Sequence, residues 1–113
     1  MNEFVKSQKN TILVVDDSRV SQTHLTQILQ EEYIVLTAGS GVEAIQTAKI
    51  SQPDIILMDV VMPQMDGYET LSKLKEFHQT RDIPVMFVSS LNQDTNEEKG
   101  LRLGAVDYII NRA

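Results

Sequence analysis

Cysteine and tryptophan are absent from the 113 residues, and the chain holds only five glycines and three prolines. Without cysteine there is no disulfide and no thiolate metal site. Two histidines, His24 and His78, give little material for a structural zinc site. Glycine is too sparse for a phosphate-cradling loop of the nucleotidase or dinucleotide type, and Gly39 and Gly41 do not make one. No apolar run approaches the ~20 residues that cross a bilayer. No basic region followed by an apolar segment opens the chain, so a cytoplasmic protein without membrane contact is expected. The formal charge is -6, and Lys and Arg form no block. Direct nucleic-acid binding by this chain is therefore not expected.

What is present is an ordinary globular mixture, 42% hydrophobic and 23% charged, in a length that suits one domain with a real core. Residues 1–10 are polar and patternless and read as a flexible leader. Thr11 to Val15 is a short apolar run without alternation, the pattern of a strand buried on both faces. It ends on Asp16-Asp17, and Ser18 can cap a helix reaching about Gln30 with Leu25, Ile28 and Leu29 as its inner stripe. Tyr33 to Ala38 reads as a second strand.

Ser40 and Glu43 have capping-box spacing, and Ala44, Ile45 and Ala48 form the next apolar stripe. Ile55 to Met58 is a third strand, ending on Asp59. Asp66 and Glu69 form another capping box, followed by Leu71, Leu74 and Phe77. Pro84 to Val88 is a fourth strand, ending on Ser89-Ser90. Asn92 to Leu103 reads as a weaker helix starting near Thr95 and Glu98, with Gly100 lowering its propensity and Gly104 as its stop. Val106 to Ile110 is a fifth strand. Alternating strands and helices predict a parallel sheet with helices on both faces.

Asp16, Asp17 and Asp59 all end apolar strands. Adjacent parallel strands would bring these carboxylates together, where like charges need a compensating cation or donor. A hard divalent ion with oxygen ligands is the natural compensation, and magnesium is favoured over zinc. Acidic residues near strand ends also cap helices, so both readings stand on spacing alone. Ser89 is a turn residue, or its hydroxyl approaches an oxygen attached to Asp59. No motif places a histidine to activate it as a nucleophile. His24 and His78 read as solvent-facing helix residues, and Met58, Met62, Met65 and Met86 as packing residues rather than thioether ligands.

Four segments together carry a family resemblance: Ile12-Leu13-Val14-Val15-Asp16-Asp17-Ser18; Asp59-Val60-Val61-Met62-Pro63-Gln64-Met65-Asp66-Gly67; Pro84-Val85-Met86-Phe87-Val88-Ser89-Ser90; and Gly104-Ala105-Val106-Asp107-Tyr108-Ile109. Their order and spacing resemble bacterial two-component response-regulator receiver domains of the CheY-like kind, from about Thr11 to Ile110. The resemblance implies a doubly wound α/β fold, a five-stranded parallel sheet of order 2-1-3-4-5 (flavodoxin-like). It implies that Asp59 is a phosphoacceptor, charged by a sensor histidine kinase or a histidine phosphotransfer protein. It implies a magnesium site (manganese as a substitute) from Asp16, Asp17, Asp59 and the backbone carbonyl of Val61, with Asp16 acting mainly through water. Ser89 would bond the phosphoryl oxygen, and Tyr108 would be the aromatic switch. Self-phosphorylation and slow autodephosphorylation are implied, not sustained turnover. The output domain or effector is left open.

The chain departs from the family after the fifth strand. Asn111, Arg112 and Ala113 stand where the family usually has lysine, proline and phenylalanine. Asn111 can donate a hydrogen bond but supplies no charge, and Arg112 should point to the opposite face and keep a trans peptide. The fifth helix of the family is not in the sequence, so residues 11–113 read as a receiver domain truncated or altered after its fifth strand. Apolar area around the fourth helix and fifth strand should be exposed, open to a covering chain such as a homodimer partner. A degenerate interaction module that does not depend on phosphorylation is the alternative. A metal-dependent phosphatase of another α/β family has no supporting acid/base constellation.

Overall fold

The computed structural model describes residues 9–90 and 96–111. Strands β1 (Asn10–Val15), β2 (Tyr33–Ala38), β3 (Ile55–Asp59), β4 (Val85–Ser90) and β5 (Asp107–Asn111) alternate with helices α1 (Arg19–Leu29), α2 (Gly41–Ser51), α3 (Gly67–Glu76) and α4 (Glu97–Arg102). Each helix begins on a short polar side chain that accepts a backbone N–H of the first turn. Ser18 accepts from Ser21, Ser40 from Glu43, Asp66 from Glu69 and Asn96 from Lys99. Each such bond satisfies one donor that a helix start leaves unpaired. The expected starts at Ser40 and Asp66 hold. The start of α4 differs: Asn96 is its cap, while Asn92 and Thr95 lie outside the described residues.

The five strands pair in parallel in the order β2-β1-β3-β4-β5, the CheY-like flavodoxin fold with four flanking helices. Every neighbouring pair is parallel, so no two strands can be joined by a tight turn and each connection crosses over through a helix. Leu13, Val15, Ile56, Met58, Val85 and Phe87 point to one face, where Ala44, Ala48, Leu71 and Leu74 of α2 and α3 close the core. Alternation sends Val14, Leu57 and Val88 to the other face with α1.

That second face is thin. No residue of α1 is fully buried. Leu25 and Leu29 are half-buried, but Ile28 is 59% exposed, which corrects its assignment to the inner stripe. Periodicity places Ile28 beside the apolar stripe, and nothing among the described residues covers it. Exposed Leu101, Val106 and Ile109 bear out the expected apolar area around α4 and β5. No helix among the described residues is long and apolar enough to cross a membrane.

Candidate functional site

Register brings the acidic residues together. Val15 lies opposite both Ala38 and Met58, so Asp16 leaves the sheet beside Asp59. Asp59 lies opposite Val88, which puts Ser89 one residue further along the neighbouring strand. The carboxylates of Asp16, Asp17 and Asp59 each present an oxygen within 4.8 Å of the other two. They share a cavity of about 590 Å³ with Ser18, Val61, Ser89 and the half-buried Leu25 and Leu57. The site sits at the carboxyl ends of β1, β3 and β4, where open α/β sheets bind ligands.

The loop after β1 is pinned on several sides. Asp16 N–H donates to the Ala38 carbonyl at 3.0 Å. The Gln22 amide donates to the Asp16 carbonyl at 2.7 Å, and Ser18 N–H donates to the Asp16 carboxylate at 2.9 Å. The loop after β3 closes where Gly67 N–H donates to the Val60 carbonyl at 2.7 Å. Gly67 permits this approach. A Cβ there would collide with the Asp59 carbonyl oxygen and would lie 3.0 Å from Val60 Cα. Gly67→Ala should therefore displace the backbone at Asp59 and cost about 1–3 kcal/mol, the range for overpacked sites. A lowered urea midpoint together with weakened magnesium affinity is the expected result.

Electrostatics set Asp59 apart. Burial, followed by the nearby Asp16 charge, pushes its carboxyl up to about 6, against hydrogen bonds from the Val60 and Val61 amides that favour the anion. Asp16 is also raised, chiefly by burial, with the Ser18 amide opposing. Among the described residues no lysine or arginine lines the cavity, so the excess negative charge has no protein cation beside it. Three hard oxygen donors with this surplus charge fit a divalent ion such as magnesium. Cysteine is absent, and the exposed His24 is the one imidazole in the lining.

Ser89 is 1% exposed and lines the same cavity; Tyr108 is 6% exposed and points into the interior from β5. Asn111 closes β5 opposite Ser90. Arg112 lies outside the described residues. His78 is exposed and lies away from the acidic cavity, at the opposite edge with Asp54 and Asp82. Sequence reasoning passed over Tyr68, whose hydroxyl meets that of Tyr108 at 3.0 Å. A tyrosine in the first turn of α3 was visible, but a contact 40 residues away leaves no local signal.

A doubly wound parallel sheet with an acidic pocket at its carboxyl edge places the chain in the class of open α/β domains that carry a ligand cleft beyond the carboxyl ends of their strands. The response regulator receiver domain profile matches residues 12–112, and the chain belongs to that family. It is 37% identical over 99 residues to Protein PilH of Pseudomonas aeruginosa, covering 87% of this chain and 82% of PilH. It superposes with a TM-score of 0.81 on the amino-terminal domain of a response regulator receiver protein from Methanoculleus marisnigri, at 35% identity over 93% of this chain and 86% of that one. The receiver domain of the sensor histidine kinase PA1611 from Pseudomonas aeruginosa, solved with a magnesium ion coordinated in its active-site cleft, matches with a TM-score of 0.83 and 27% identity. That match covers 94% of this chain and 88% of that one. Other relatives are far longer. The chain spans 22% of a Vibrio cholerae relative and 8% of a histidine kinase from Formosa agariphila.

Proposed function

We propose that this domain accepts a phosphoryl group on Asp59 in a magnesium-dependent reaction and passes the signal on by changing what it binds. The observation that carries the reading is the meeting of Asp16, Asp17 and Asp59 within 4.8 Å at one end of a receiver-family sheet. Asp16, Asp17, Asp59 and the Val61 carbonyl would hold the ion. Bound there, magnesium supplies positive charge that offsets both the carboxylates and the phosphoryl oxygens. An Asp59 carboxylate oxygen attacks phosphorus, forming an acyl phosphate while the bond to the donor's nitrogen or oxygen breaks and the donor leaves with that electron pair. Ser89, next along β4, donates to a phosphoryl oxygen. Tyr108 and, at the position of the family's lysine, Asn111 respond to the new charge. The donor is a sensor histidine kinase or a histidine phosphotransfer protein, in keeping with the kinase relatives. We assign the unit from Asn10 to Asn111 to the receiver.

Incubation with magnesium and acetyl phosphate, followed by peptide mapping, tests the reading. One adduct on Asp59, which does not form when magnesium is chelated before the donor is added, is expected. A folded protein that takes up no phosphoryl group under these conditions overturns it.

A second reading is favoured by the absence of lysine and arginine from the cavity lining among the described residues and by Asn111 where the family has lysine. In that reading the domain is an interaction module indifferent to phosphorylation. Partner binding would then persist unchanged in Asp59→Asn and without magnesium.

A further inference from the structure

The hydroxyl of Tyr68 stands at a junction of three elements. Tyr68 belongs to the first turn of α3, and its hydroxyl donates to the Asn96 carbonyl at 2.9 Å while accepting the Asn96 N–H at 2.9 Å. The Tyr108 hydroxyl of β5 lies 3.0 Å away. A phenol has one proton and two acceptor lone pairs. With its proton on the Asn96 carbonyl, Tyr68 can only accept from Tyr108. All three positions on the Tyr68 oxygen are then filled, and Tyr108 spends its only proton on Tyr68.

The space around the pair is equally specific. Phe87, fully buried on β4, packs edge-on against Tyr68 at 5.3 Å and tilted against Tyr108 at 5.7 Å. Gly100 of α4 leaves room for the inward ring: a Cβ there would come within 2.9 Å of the Tyr108 ring and 3.0 Å of Phe87. Lys99 Nζ lies 4.8 Å from the centre of the Tyr68 ring, the second cationic or polar contact from α4. Asn96 is the cap of that helix. One oxygen atom thus links the rotamer of Tyr108 to the start of α4.

We propose that Tyr68 is a positioning residue for Tyr108: its hydroxyl holds the Tyr108 side chain in the interior and couples that position to the first turn of α4. The signalling consequence rests on the reading of Tyr108 as the switch; the hold itself is a property of the unmodified protein. When Tyr108 turns outward, Tyr68 loses a donor, and the Asn96 backbone loses part of what fixes it. Movement of either β5 or α4 is then felt by the other through the phenol. Tyr68→Phe keeps the ring packing against Phe87 and removes all three bonds. Gly100→Ala leaves the Tyr68 hydroxyl in place and crowds Tyr108 out.

The test uses the full chain labelled with carbon-13 at the tyrosine Cζ, its three resonances (Tyr33, Tyr68 and Tyr108) assigned by single Tyr→Phe variants. In the wild type, mixed light and heavy water should show slow hydroxyl exchange for Tyr68 and Tyr108. The Tyr68 phenol is pushed up to about 12, chiefly by burial. It should therefore stay protonated through the ordinary tyrosine midpoint near 10. In Tyr68→Phe, the Tyr108 resonance should move toward free tyrosine, its hydroxyl should exchange fast, and hydrogen exchange at the Asn96 amide should rise about tenfold. Gly100→Ala should move Tyr108 in the same direction. Fast hydroxyl exchange in the wild type overturns the proposal, as does a Tyr108 resonance that stays put in both variants. The wild-type exchange measurement can overturn the proposal even where a variant does not fold. Acetyl phosphate with magnesium separates the two readings. Asp59 should be modified equally in wild type and Tyr68→Phe, with a Tyr108 response only in the wild type. Absence of any Asp59 adduct in the wild type removes the phosphoacceptor reading and leaves the hold to be judged on the unmodified protein. Modification of both with the same Tyr108 response overturns the coupling.

Discussion

In Asp59→Asn, phosphoryl incorporation from acetyl phosphate is expected to fall to background while the metal-free protein becomes more stable. The two effects have one cause. Asp59 is half-buried beside Asp16, and its carboxyl is raised from 3.8 to about 6. Between those values the folded chain holds a proton that the unfolded chain has released. Folding is therefore favoured below about pH 4, and that advantage is lost as pH rises through about 6. At pH 7 the anion stands against burial and a like charge. Replacing it with a neutral amide removes that opposition, a gain on the order of 1 kcal/mol after discounting for solvent screening of a half-exposed group. The melting temperature should rise by about 4 °C. The fall in stability between pH 4 and 6 should flatten in the variant. Magnesium should raise the wild-type melting temperature at pH 7 and do so far less in Asp59→Asn, because the ion loses a charged ligand. A variant that melts lower than wild type without metal, with an undiminished response to magnesium, would remove Asp59 from the centre of the site.

Phe87→Ala carries the largest expected loss of stability. Phe87 is 0% exposed and lies between two aromatic rings. Truncating such a residue removes apolar burial and leaves a cavity, about 3–5 kcal/mol in total. Domains have only about 5–15 kcal/mol to lose. Urea unfolding should show a much lower midpoint with an unchanged slope. Phe87→Leu should recover most of the loss, since a branched aliphatic refills much of the volume. The loss also bears on the Tyr68–Tyr108 pair, because Phe87 supports both rings. Near-wild-type stability in Phe87→Ala would show that the surrounding side chains close over the gap.

Local pattern carried much of this protein. Ile12 to Val15 reads as a doubly buried strand because all four side chains are apolar, and all four are buried. Ser40 and Asp66 announce helix starts because a short acceptor three residues before a donor is enough to make a cap. Asp16, Asp17 and Asp59 could be marked as a group because each ends a strand in a fold whose strand order was implied by four motifs in register. Ile28 was misplaced because periodicity reports which way a side chain points and says nothing of what covers it. Gly100 was read as a weakness in its helix. Propensity scores the backbone, and cannot see that the Tyr108 ring needs the space a Cβ would fill.

Short-range chemistry and strand patterning were thus determined by the sequence alone: the alternation of elements, the caps at Ser18, Ser40 and Asp66, and the carboxylates at the strand ends. Only the tertiary structure decided which carboxylates share a cavity, how far the Asp59 carboxyl is raised, and that Tyr68 meets Tyr108. Those properties depend on distances between atoms whose residues are tens of positions apart. Strand register and helix packing set such distances to within an ångström, and no local rule on the chain encodes them.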